Sequence, residues 1–202
     1  MTTSATKVML KNVRLAFPVL ETPEAFQGQG KPRYSATLLF DPGSENHKAI
    51  EAAMLAAAGA KWGVNKAAAA VAGLTKNGKV ALGDGNEKDK YEGFEGKLYI
   101  GAHSKENAPP TLLDGQRKTL PRNTGMIYAG CYVNASVEIW AQDNQYGKRL
   151  NASLRGLQFV KDGDAFSGGR PADADEFEPV EGATATDEDF DSAEKAVDEE
   201  FA

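Results

Sequence analysis

From Met126 to Ala141, two residue classes alternate without a break. The odd positions are Ile127, Ala129, Cys131, Val133, Ala135, Val137, Ile139 and Ala141. The even positions carry Tyr128, Tyr132 and Trp140 among small polar groups. A period of two places residues i and i+2 on one face of a strand. This predicts a strand with the odd face in a core and the three rings facing outward. Such a run is long for a single strand, so a bend near Gly130 is expected to let it serve two sides of a small barrel. After the loop DNQYG (143–147), Lys148 to Val160 alternates again, with Leu150, Ala152 and Leu154 inward and Arg149, Asn151, Ser153 and Arg155 outward. At Gly156 the phase flips to Leu157 and Phe159, the mark of a β-bulge. A lone hairpin is marginal in water, so further strands must complete a mainly β domain.

Those strands are readable upstream. Val13, Leu15 and Phe17 alternate with Arg14 and Ala16; Tyr34 to Phe40 forms a second strand, stopped by DPGS. Lys97 to His103 forms another, with Lys97, Tyr99 and His103 on its outer side, and Pro110 to Leu113 a short edge strand. Between Ser44 and Ala72 the chain is rich in alanine, the best helix former. Ser44 is a plausible N-cap, and Ile50, Met54 and Leu55 would supply the buried stripe. Gly59 and Gly63 are expected to split the stretch, with a second helix around Lys66 to Val71, both packed outside the barrel. The loop GDGNEKDK (83–90) is a poor calcium loop, since Lys88 stands at a ligand position.

Charge divides the chain. Of 29 acidic and 23 basic residues, 13 acids and one lysine lie at 171–202, so this segment carries −12 and residues 1–170 carry +6. The total of −6 argues against nucleic acid as a partner only until it is divided in this way. The segment has almost no aliphatic residues and cannot bury enough surface to offset its chain entropy. It is expected to be a disordered acidic tail beyond the joint SGGRP (167–171). Phe177, Phe190 and Phe201 stand among its carboxylates, the last in Asp198-Glu199-Glu200-Phe201. Carboxylate plus exposed ring imitates phosphate plus base, so beside the plainer reading of a solubilising tail stands an interaction segment that docks other proteins or competes with DNA.

Several classes are excluded. One cysteine and two histidines leave no disulfide framework and no thiolate-rich metal site. Neither a G-x-x-x-x-G-K-[ST] loop nor a G-x-S-x-G elbow occurs. Acidic residues on the strands are too sparse for a metal nuclease. No enzyme activity and no cofactor is expected. No run of about 18 apolar residues occurs, and MTTSATKVML lacks a signal-peptide core, so a cytosolic protein is expected.

The segments KNVRLAFP, PRYSATLLF, GDG followed by YEGFEGKLYIGA, and IYAGCYVNASVEIWAQDNQYGKRLNASLRGLQFVKDGD occur in this order. In that order the chain resembles a phage single-stranded DNA-binding protein family, formerly catalogued as a domain of unknown function. The resemblance covers about residues 7–164. It implies an OB-fold with elaborated loops and helices, binding of single strands without sequence preference, and a role in phage DNA replication or recombination in the cytoplasm of the infected bacterial host. It also implies replication or recombination proteins as partners of the acidic tail.

Single strands are held by cations that track phosphates and by exposed rings that stack on bases. The candidates are Tyr128, Tyr132 and Trp140 on the long strand, for which core packing is the rival reading, Lys97, Tyr99 and His103 on its neighbour, and Tyr146, Lys148, Arg149 and Arg155 on the hairpin. Arg14 and Arg33 on the early strands and Arg117, Lys118 and Arg122 before the long strand complete the set. The competing reading is a protein-interaction or virion-associated structural protein that binds no DNA. Monomer and dimer remain open.

Overall fold

The computed structural model describes residues 4–25, 30–88 and 90–166. The tail and its Phe177, Phe190, Asp198, Glu199, Glu200 and Phe201 lie outside the described residues.

Seven strands and two helices follow in the order β1 (Lys7–Glu24), β2 (Arg33–Phe40), α1 (Glu45–Trp62), α2 (Val64–Lys76), β3 (Leu82–Asp84), β4 (Leu98–Lys105), β5 (Thr111–Leu113), β6 (Tyr132–Asn144) and β7 (Gly147–Lys161). The sheet order is β3-β4-β2-β1-β6-β7-β5. A parallel contact of His103 with Ser153 joins β4 to β7. The five longer strands thereby form a closed ring, β4-β2-β1-β6-β7, whose only parallel neighbours are β4 and β7. This is an OB-type barrel.

The inward positions follow the expected alternation. Cys131, Val133, Ala135, Val137 and Ile139 are buried, as are Leu150, Ala152, Leu154 and Leu157 from β7. The phase flip is a bulge: Ser136 pairs with Gly156 and Val137 with Leu154, so Arg155 is the extra residue. β1 is much longer than its alternating core predicts, because it changes partner along its length. Its first half pairs with β6 and its second with β2. Register breaks at Leu10/Val13 and Ala16/Val19 accompany positive φ at Asn12 and Phe17.

Ser44 caps α1 by accepting the His47 amide, as expected. Ile50, Ala53, Met54, Ala57 and Ala58 form the buried stripe, and α1 packs on β1 and β6. Leu55, expected in that stripe, is 43% exposed; buried positions 50, 54, 57 and 58 leave it on the far face of the helix. Gly63, with φ +95°, separates the helices, while Gly59 lies within α1. No helix among the described residues is long and apolar enough to cross a membrane.

The expected strand from Met126 onward is shorter at its start. Gly130, with φ +106°, donates to the Leu15 carbonyl, and the Cys131 amide donates to the Tyr128 carbonyl. This turn delays β6 until Tyr132.

Candidate nucleic-acid interface

The register of β2 against β4 organises the outer surface. Arg33 lies opposite Lys105, Ser35 opposite His103, Thr37 opposite Gly101, and Leu39 opposite Tyr99. The alternate residues Ala36, Leu38, Phe40, Ile100 and Ala102 fill the barrel. One face therefore runs from cations, past an imidazole and small residues, to aromatics. In OB barrels the face of the second and third barrel strands in chain order, here β2 and β4, is where oligonucleotides lie.

At the cationic end two clefts, of about 570 and 600 Å³, share His103, Ser104 and Lys105. One extends over β6 and β7 to Trp140, Glu138 and Arg155. The other extends over Lys31 and Arg33. Trp140 is 39% exposed, enough to offer a ring face at the rim. Arg155 is paired with Glu138 through both Nε and a terminal nitrogen. Burial, with Arg33 nearby, holds His103 below the ordinary imidazole range, favouring the neutral ring.

At the aromatic end, Phe94 and Phe166 cover Ala16 and Leu39 in a small second core. Phe17 and Tyr91 lie on its rim and remain about half exposed. Tyr99 is half-buried. A Cβ at Gly83 would come within 2.3 Å of its ring, and Lys88 Nζ lies 4.4 Å from its centroid. Burial and the nearby Glu87 and Asp84 raise its phenol. Tyr99 thus underlies the aromatic end and does not stand alone on the surface.

Several expected outward residues have structural positions. Tyr128 is buried, and its hydroxyl is hydrogen-bonded to Asp162 and Gly163. This corrects its expected place on the outward face: the turn at Gly130 breaks the alternation and rotates the ring into the core. Arg122 donates to the carbonyls of Leu20 and Pro110 and lies over Tyr34, which ties the loop to β1. Arg14 donates to the carbonyls of Gly130 and Asp164, with Phe166 4.5 Å and Tyr132 5.8 Å away. Tyr132 faces outward between Arg14 and Lys161. Lys97 is paired with Asp41.

Other candidates lie away from the two clefts. Arg117 and Lys118 occupy the turn after β5, which Asp114 organises by accepting the Gln116 and Lys118 amides. Tyr146 is 81% exposed at the tip of the β6–β7 hairpin, with Lys148 and Arg149 behind it. The strand ends next to that tip are tied to α1, because Trp62 Nε1 donates to Asp143 and Lys148 lies over the indole. The residues that sequence reasoning missed are Lys31, Lys105, Phe17, Tyr91 and Lys88. Strand pairing brings Lys105 to Arg33. The alternation puts Phe17 on one face with Val13 and Leu15, and its positive φ turns it outward instead.

Comparisons with known proteins place the fold and the family. The family model described as Enterobacter phage Enc34, ssDNA-binding protein, matches residues 6–195. Protein p50 of Acyrthosiphon pisum secondary endosymbiont phage 1 is 40% identical over 177 residues, covering 86% of this chain and 94% of that protein. The single-stranded DNA-binding protein from bacteriophage Enc34 superposes with a TM-score of 0.60 at 30% identity, over 86% of this chain and 91% of that one. Its complex with ssDNA gives 0.60 at 26% identity, over 80% and 89%. The gp2.5 single-stranded DNA-binding protein of bacteriophage T7 shares the fold, with a TM-score of 0.53 at 12% identity over 86% and 98%. The chain belongs to the family of the Enterobacter phage Enc34 ssDNA-binding protein.

Proposed function

We propose that this protein binds single-stranded DNA without sequence preference and serves phage DNA replication or recombination in the cytoplasm of the infected host. The observation that carries this reading is the β2–β4 face, where Arg33, His103 and Lys105 line joined clefts beside Trp140. Cations along a backbone path with rings at hand are what sequence-tolerant binding requires. Membership of the family supports it. A gel shift on single- and double-stranded DNA at two salt concentrations tests it. Salt-sensitive retardation of the single strand, with weaker retardation of duplex, is expected; no shift of a roughly 30-nucleotide strand at low salt defeats the reading.

The acidic tail is assigned two roles within this proposal. It docks replication or recombination partners through Phe177, Phe190 and the Asp198–Phe201 segment, and it competes with DNA for the basic face. The support is charge: −12 on residues 171–202 against +6 on the remainder. Truncation after Arg170 should tighten single-strand binding at low salt and abolish partner capture. Unchanged affinity removes the competition role and leaves docking to stand on the capture result.

A further inference from the structure

His103 sits where β4 meets β7, its backbone paired with Ser153 on one side and Ser35 on the other. The charged groups around its clefts come from every neighbouring element. They are Lys31 from the loop before β2, Arg33 from β2, Lys105 from β4, Glu106 from the turn that follows, Glu138 from β6 and Arg155 from β7. Glu138 and Arg155 satisfy each other. Lys31 and Lys105 outnumber Glu106 around a half-buried imidazole, which Trp140 borders on the β6 side. We infer that these joined clefts form a phosphodiester subsite whose occupancy is coupled to protonation of His103.

The physical reason is reciprocity. Burial and the Arg33 guanidinium both disfavour a second positive charge on the ring. A phosphodiester in the cleft carries one negative charge and acceptor oxygens. It offsets the cations and rewards an imidazolium N–H donor. If the ligand favours the protonated ring, the protonated ring favours the ligand by the same factor. Binding therefore takes up a proton, and affinity rises as pH falls through the range in which the ring titrates. The inference rests on the proposed binding of single strands and names the regulation of that site.

The test uses the full chain and a dye-labelled oligo-dT of roughly 30 nucleotides. Anisotropy is read from about pH 8 down to about pH 6 at constant ionic strength, a range in which histidine titrates and ordinary carboxylates do not. The wild type should bind more tightly toward the acid end, with a slope approaching tenfold per pH unit. His103→Gln should show a flat profile, whatever its absolute affinity. Equal slopes in the two proteins overturn the inference while leaving DNA binding intact. Calorimetry of the wild type in two buffers of different ionisation enthalpy provides a second measurement that needs no variant. Net proton uptake near one per complex toward the acid end is expected, and none overturns the coupling. Absence of any binding across the range defeats the single-strand reading itself, and the inference with it.

Discussion

The ring of Phe17 meets that of Tyr91 edge-on, with centroids 4.9 Å apart and planes at 83°. Both rings are about half exposed, and Phe94 supports them from below at 5.6 and 6.0 Å. Phe17 holds φ at +46°, a left-handed conformation that costs a side-chain-bearing residue about 1–2 kcal/mol. Core packing does not explain a strained, exposed aromatic. The proposed binding of single strands supplies such a ring with a partner, a nucleobase.

Phe17→Asn separates strain from stacking, since asparagine tolerates the left-handed region. Denaturant unfolding should shift by no more than roughly 1 kcal/mol. Affinity for oligo-dT should fall by about 1–3 kcal/mol if the ring stacks on a base. Unaltered affinity removes the Phe17–Tyr91 pair from the path of the strand.

Tyr128 provides the opposite case. Its hydroxyl binds Asp162 and the Gly163 carbonyl and accepts the Gly163 amide, fastening the segment beyond β7 to the turn before β6. Tyr128→Phe should destabilise the fold by about 1–2 kcal/mol, measured by denaturant titration. Intrinsic affinity for single strands should not change. A selective loss of affinity at full stability would return Tyr128 to the binding surface.

These two residues show what the sequence discloses and what it hides. Alternation located β6 and β7, the bulge at Gly156 and the inward set from Val133 to Ile139, because burial on one face enforces a period of two. The same rule misplaced Tyr128 and Phe17. Each lies beside a positive-φ turn, at Gly130 and at Phe17 itself, where the chain leaves the pleat and side-chain direction no longer follows parity. Lys105 was missed for another reason. Its partnership with Arg33 depends on the register between strands separated by two helices, and nothing local encodes that. Ser44 and Gly63 were legible because capping and helix-breaking are local events.

Cys131 makes a chemical prediction. The thiol is fully buried on the core face, and desolvation pushes it up to about 11, against the opposing hydrogen bond with the Tyr128 backbone. The reactive thiolate is therefore scarce at neutral pH. An aromatic disulfide reagent should leave the native protein unlabelled and modify one thiol per chain after unfolding. Rapid labelling of the folded protein would contradict the closed turn at Gly130.

Two basic residues should differ in their part in the salt dependence. Lys105 is exposed and borders both clefts, whereas Arg122 is spent on the carbonyls of Leu20 and Pro110 at 2.6 and 2.7 Å. A residue that neutralises one phosphate of a single strand contributes about 0.7 to the slope of log affinity against log salt. Lys105→Gln should lower that slope by roughly this amount, with little effect on stability. Arg122→Gln should leave the slope unchanged and cost about 1–3 kcal/mol of stability, because two buried carbonyls lose their donor. Affinity measured across a salt series, beside denaturant unfolding of each variant, separates the two. If Arg122→Gln flattens the slope and Lys105→Gln does not, the strand runs along the loop before β6, and the β2–β4 face is not its path.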